Sequence, residues 1–314
     1  MKKSNKKIRT IEEATKIYLA NKKSKLKQST YSRYSTICER HILPYFKNIE
    51  LSKMNNKTIN EFIQSKLKNG GLKSSPLSPK TVNDITNLLM QIIKPHCNLT
   101  KNSVDIEKPT YNQKEIEIFT EVEYNKLKKY LSTNTDNKKL GIITSMLTGI
   151  RIGELCALKW ENIDLEKEII VINKTIQRIK ITDKIKKSKT KIMIDTPKSK
   201  ASIRTIPLPT ILVEKLKAFK KDNNMYILTG TLNYIEPRIY QRNFKSYLKN
   251  CSIKDKRFHT LRHTFATRAV TREMDIKTLS VLLGHSDVSF TMKKYVHPNL
   301  EHKREQIEKI AVGF

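Results

Sequence analysis

At 314 residues, with 62 Lys and Arg against 30 Asp and Glu, the chain carries a formal net charge of +32. That length suits two domains with a sizeable core. The positive excess is spread along the chain and points to a polyanionic partner, nucleic acid ahead of an anionic membrane surface. No apolar run reaches the roughly 18 residues of a membrane-spanning helix. The basic start has no apolar segment behind it and does not read as a secretory signal. Four scattered cysteines, Cys38, Cys97, Cys156 and Cys251, fit buried thiols in a reducing cytoplasm better than disulfides or zinc ligands.

In chain order, residues 1–9 read as a basic arm. Thr10 with Glu13 forms a capping box, followed by Ile11, Ala14, Ile17 and Tyr18 at helical spacing. A second helix is predicted from about Ser29 to Leu43, ended by Pro44. A third, from about Lys57 to Lys68, buries Ile59, Phe62, Ile63 and Leu67. After a loop at 70–78, a fourth starts at Pro79 or Lys80 with Val82, Ile85, Leu88, Leu89, Ile92 and Ile93 inward. Residues 103–118 are polar and aperiodic, which suits a linker.

Thr120 and Glu123 make another capping box, with helices at about 121–131 and 138–148. The phrase Thr148-Gly-Ile-Arg151-Ile-Gly-Glu154-Leu155 follows, in which Gly149 permits a turn that aims Arg151 into a cleft. Trp160 reads as a packing residue. Residues 168–174 read as a strand. The basic stretch 178–191 is equally a solvated strand edge or a phosphate-tracking ribbon. Helices are expected at about 210–221 and 237–249, and a short one over 301–312.

The chemistry concentrates near the C-terminal end: His259-Thr-Leu-Arg262-His263, then Leu283-Gly284-His285, then Tyr295, 295 − 285 = 10 residues on. Arg262 carries a permanent planar fork of donors matched to two phosphate oxygens. His259 lies three residues before it, on the same helical face. His285 handles protons near neutral pH, and a tyrosine can attack phosphorus and stay attached. Any one piece is ordinarily a solvated face or a packing residue; the order and spacing of the set lift it above chance.

This set resembles the C-terminal signature of the tyrosine recombinases, or phage integrase family. Its wording is similar to integrases of conjugative transposons and integrative elements of Gram-positive bacteria. Thr-Gly-x-Arg-x-x-Glu-Leu matches the family's first arginine motif, with Glu154 as the carboxylate that orients Arg151 or its neighbourhood. The stretch from Thr196 to Pro207 resembles the family's β-hairpin, which delivers a catalytic lysine; Lys198 is favoured and Lys200 is the alternative. The resemblance spans about residues 10–300.

It implies a mainly α fold with a small antiparallel β-sheet. A helical core DNA-binding domain over 10–102 and a linker over 103–118 would lead to a mixed α+β catalytic domain over 119–300, with a tail helix over 301–314. It also implies catalysis by Arg151, Lys198, His259, Arg262, His285 and the nucleophile Tyr295, supported by Glu154, His263 and the alternative Lys200. The implied reaction cuts and rejoins DNA through a 3′-phosphotyrosyl link and a Holliday junction. No metal, ATP or other cofactor is expected, since neither a phosphate-binding glycine loop nor a carboxylate cluster is present. The implied partners are double-stranded DNA attachment sites, a homotetramer on that DNA and an accessory excision factor, in the cytoplasm at the nucleoid and not at a membrane. The rival readings are a type IB topoisomerase-like nicking enzyme and a catalytically silent DNA-binding relative.

Overall fold

The computed structural model describes residues 8–47, 49–97, 106–111, 115–181, 190–197, 199–296 and 300–311. The chain divides into two compact units, one of residues 1–114 with 179–191, the other of 115–178 with 192–314.

The first unit is helical. Helix α1 (Ile11–Lys23) opens on the capping box: the Thr10 hydroxyl accepts the Glu13 N–H at 3.3 Å, and the Glu13 carboxylate accepts the Thr10 N–H at 3.4 Å. Its inward stripe runs through Ile11, Ala14, Thr15, Tyr18 and Leu19. Ile17, expected on that face, falls off this i, i+3, i+4, i+7, i+8 pattern and is exposed.

Helix α2 (Gln28–Ile37) does not stop at Pro44 as the sequence suggests. It continues through a π-turn, Cys38–Ile42, into α3 (Leu43–Phe46), with Pro44 near the start of that last piece. The Leu43 N–H bonds back to the Cys38 carbonyl, five residues earlier, which widens the helix just where a proline ring would otherwise collide with the preceding turn.

Helices α4 (Asn56–Asn69) and α5 (Pro79–Ile93) complete the unit. All six apolar positions expected on α5 are buried against Phe46, Ile59, Phe62 and Ile63. Residues 106–111 lie along this unit, where the Asn83 amide donates to the Pro109 carbonyl at 2.9 Å and Ile106 packs on the core.

In the second unit, α6 (Glu121–Ser132) starts at the Thr120–Glu123 capping box and α7 (Asn137–Thr148) ends at Gly149 in the left-handed region, φ +64°. A side chain there would meet the Phe265 ring at 2.6 Å, so both the conformation and the space require glycine. Helix α8 (Ile152–Ala157) leads to β1 (Ile163–Asp164), β2 (Ile169–Ile172), β3 (Thr175–Lys180), β4 (Thr190–Asp195) and β5 (Arg204–Pro207).

Strands β1, β2 and β5 form one antiparallel sheet in that order, with Ile170 opposite Ile206 and Ile172 opposite Arg204; β3 and β4 pair separately. The stretch from Thr196 to Pro207 is therefore not a hairpin of two mutually paired strands. It joins two sheets through a short 3₁₀ turn, Lys200–Ser202, because β5 pairs with β2 instead of β4. The period-2 alternation of β5 turns Arg204 inward beside Ile206.

Helices α9 (Thr210–Phe219) and α10 (Pro237–Asn250) close the main core, which holds Trp160, Leu140, Ile170, Leu216, Tyr240, Phe244 and Phe258. Trp160 is wholly buried, as a packing residue should be. Helices α11 (His259–Thr271), α12 (Ile276–Leu283) and α13 (Val288–Tyr295) gather around a smaller cluster of Ala266, Ala269, Leu279, Leu283 and Tyr295. Helix α14 (Leu300–Ala311) follows. Among the described residues, no helix is long and apolar enough to cross a membrane.

Candidate active site

The site is built around the carbonyl end of α12. Gly284 ends this helix at φ +64°, and a side chain on it would press on Ser202 and Arg204 at 3.1 Å, so the glycine also lets the 200–202 turn approach. The last carbonyls of a helix lack intrahelical partners and carry the negative end of its dipole. Here three consecutive ones each receive a different guanidinium. Arg204 Nε donates to Leu282 O at 2.6 Å, Arg262 Nη2 to Leu283 O at 2.5 Å, and Arg151 Nη2 to Gly284 O at 3.3 Å.

Arg151 sits at the N-cap of α8, immediately after the glycine turn. Its Nη1 donates to Glu154 Oε1 at 2.7 Å and its backbone N–H to Glu154 Oε2 at 3.1 Å. That same Oε2 accepts Arg204 Nη2 at 2.9 Å, so one buried carboxylate bridges two arginines. Burial is the largest single influence on Glu154 and opposes its ionisation. Arg204 and Arg151 together outweigh it and hold the carboxyl below its ordinary range.

Arg262, on α11, is only 2% exposed and reaches Gly149 O at 3.0 Å as well as Leu283 O. Burial first, then Arg151 and Arg204, press its guanidinium down to about 9, still charged at neutral pH. Three guanidiniums against one carboxylate leave 3 − 1 = +2 in this small region, a charge suited to an anionic ligand.

Arg262 Nη2 also lies 2.9 Å from His285 Nε2. Arginine can only donate, so His285 Nε2 accepts, and its proton sits on Nδ1, donated to Thr291 Oγ1 at 2.8 Å. Burial, then Arg262 and Arg151, push this imidazole down to about 3, which keeps it neutral.

Tyr295 ends α13 and is 6% exposed. Its hydroxyl is 2.8 Å from His263 Nδ1. Burial outweighs the pull of Arg262 and Arg151, so the phenol stays above its ordinary value and keeps its proton. His263 is pushed to about 3 by burial and then by His259. His259 lies at the open rim, its ring edge-on to His263 at 4.6 Å between centroids. Desolvation, then Arg262 and Lys294, bring it to about 4.

The fold thus brings Arg151, Glu154, Arg262 and His285 into one hydrogen-bonded group, with Tyr295, His263 and His259 beside it on α11 and α13. Lys198 lies outside the described residues, and Lys200 is exposed at the start of its turn. Sequence reasoning passed over Arg204, whose side chain is only 2% exposed. The available signal was its position in a strand that alternates inward and outward.

Residues 117–302 match the phage integrase family, and residues 10–67 match the N-terminal SAM-like domain of phage integrases. A XerC-like tyrosine recombinase of Caldanaerobacter subterraneus is 31% identical over 309 residues, covering 90% of this chain and 77% of its own length. The ICEBs1 integrase of Bacillus subtilis is 24% identical over 311 residues, covering 94% and 80%. The fold is that of the Tn1549 transposon integrase solved with transposon right-end DNA, at TM-score 0.77, 20% identity and coverage of 96% and 100% of the two chains. Lambda integrase bound to DNA matches at TM-score 0.61 and 16% identity, over 88% of this chain and 92% of that one. The chain belongs to the phage integrase family, and as a tyrosine recombinase it is a site-specific DNA-recombining enzyme.

Proposed function

We propose that this recombinase integrates and excises a mobile genetic element, cutting and rejoining double-stranded DNA at attachment sites through a 3′-phosphotyrosyl intermediate. The carrying observation is the excess of two positive charges beside the Tyr295 hydroxyl, held by Arg151, Arg204 and Arg262 around one carboxylate. A scissile phosphodiester brings one negative charge there and gains more in a five-coordinate transition state. Fixed cations stabilise that change without reorganising. Of the five N–H donors of Arg262, three have acceptors among the described residues, which leaves two for phosphate oxygens.

Tyr295 Oη attacks phosphorus, the bond from phosphorus to the 5′ oxygen breaks, and the phenol passes its proton to His263 Nδ1, 2.8 Å away. The leaving oxygen takes a proton from a lysine of the 196–203 segment, Lys198 in the first instance and Lys200 in the second. His263, neutral, orients the phenol, and neutral His285 braces Arg262. A 5′-hydroxyl from a second duplex reverses these steps. The phosphotyrosyl bond conserves the energy of the cut bond, so ATP is not required, and the arginines supply the positive charge that a metal would otherwise bring. Exchange of one strand pair, then the other, passes through a Holliday junction in a homotetramer. An accessory factor sets the direction.

The likeness to the ICEBs1 and Tn1549 integrases supports the mobile-element reading, and the DNA in the Tn1549 complex supports the partner. The test is a nicked suicide substrate carrying an attachment half-site. The wild-type chain should accumulate a covalent protein–DNA adduct, and Tyr295→Phe should bind the half-site equally well yet form none. Adduct of normal yield from that variant would remove Tyr295 from the mechanism. Exchange between two labelled duplexes separates recombination from nicking and resealing of a single strand.

A further inference from the structure

The buried Arg204 guanidinium is spread over three acceptors: Leu282 O at 2.6 Å, Ser202 O at 3.1 Å and Glu154 Oε2 at 2.9 Å. Those acceptors belong to the end of α12, to its own turn and to α8. Glu154 in turn holds Arg151, a side chain about a third exposed, through both carboxylate oxygens. Removing Arg204 would leave Glu154 buried with one cation on one side only, and nothing charged on the other to stop it turning toward that side.

We propose that Arg204 is a positioning residue of the phosphate site, acting through Glu154 to set the direction of the Arg151 guanidinium. The inference rests on Arg151 binding the scissile phosphate, as in the function proposed above. The three guanidiniums stand in register because they are racked on consecutive carbonyls, 282, 283 and 284. Arg204 is the member that shares a carboxylate oxygen of Glu154 with the Arg151 backbone, so it can set the direction of Arg151 through that carboxylate. Ser202, whose hydroxyl also reaches Gly284 O at 3.4 Å, places the turn that carries Arg204 against the same helix end.

A positioning role and a merely structural one separate in a double-mutant cycle on the single-turnover rate of adduct formation at saturating protein. Arg204→Gln, and Arg204→Lys, which keeps the charge but cannot span three acceptors, should each lower that rate about 100-fold, the effect of a displacement near 1 Å. Half-site affinity should fall far less than the rate. In an Arg151→Ala background, Arg204→Gln should cause no further loss, because the group it orients is absent. Losses that multiply in the double variant, a wild-type rate in both single variants, or failure of both to fold would each overturn the proposal. Tyr295→Phe, run alongside, keeps the two readings apart. Adduct that persists in that control refutes the proposed function. A control that behaves, with Arg204 variants that do not, refutes only the role of Arg204.

Discussion

The side chains of the site owe their protonation to burial and to one another more than to their own chemistry. His285 and His263, both pushed down to about 3, are neutral near neutral pH, so neither carries a spare proton for the leaving oxygen in this arrangement. That directs attention to the lysines. A DNA substrate with sulfur in place of the 5′-bridging oxygen leaves without protonation, and it should restore cleavage to Lys198→Ala if Lys198 is the acid. Restoration of Lys200→Ala alone would move the role to Lys200.

The same histidines make stability depend on pH. Their folded values lie below the unfolded 6.5, so between about 6.5 and the folded value the unfolded chain binds more protons, and stability rises with pH. Glu154, also depressed, adds stability that is lost on further acidification below its unfolded value of 4.5. The melting temperature should therefore fall as pH drops from about 7 to 5, and His285→Asn should weaken that dependence. An unchanged slope in this variant would show that His285 is not held neutral by the fold.

At the scale of elements, the end of α12 is the organising feature. Its glycine is left-handed, its carbonyls hold the arginines, and its neighbour is His285. Gly284→Ala places a Cβ at φ +64° and 3.1 Å from both Ser202 Cα and Arg204 Cδ. The left-handed conformation alone costs about 1–2 kcal/mol. The turn must also move, so adduct formation should fall by more than the loss of stability accounts for at temperatures where the variant is folded. A variant destabilised by that amount but fully active would show that the close approach of turn and helix end is not needed for cutting.

At the scale of the whole molecule, the excess charge of +32 matches a partner that is charged along its length. Helix α14 leaves Ile307 65% and Ile310 77% exposed, while Lys309 Nζ meets Glu273 Oε1 at 2.9 Å. An isolated three-turn helix is marginal in water, and its apolar face is not covered within the described chain. If the proposed tetramer forms, we expect it to dock on a neighbouring protomer with Ile307 and Ile310 inward; Val312, the next apolar residue but one after Ile310, lies outside the described residues. Truncation after His302 should spare half-site binding and first-strand cleavage by a single protomer while weakening synapsis and recombination. Normal tetramers and normal recombination from the truncated chain would rule out this coupling.

What the sequence by itself determined is local or rests on spacing. The capping boxes at Thr10 and Thr120, the buried face of α5 and the glycine stop of α7 depend on neighbours within one helical turn or on a repeating period. The residues gathered at the end of α12 stand out because their types and order are distinctive, although they come from α8, α11, α12 and α13. Only the tertiary structure decided what depends on distant packing. The helix that carries on past Pro44 does so through a π-turn that no local propensity indicates. The Thr196–Pro207 stretch links two sheets because β5 found β2 as its partner. Arg204 looks like a surface arginine in the sequence, and becomes buried because its acceptors, Glu154 and Leu282, lie 50 and 78 residues away along the chain. A charged side chain goes inside only when such partners are already in place to replace water, and their placement is settled by the packed fold alone.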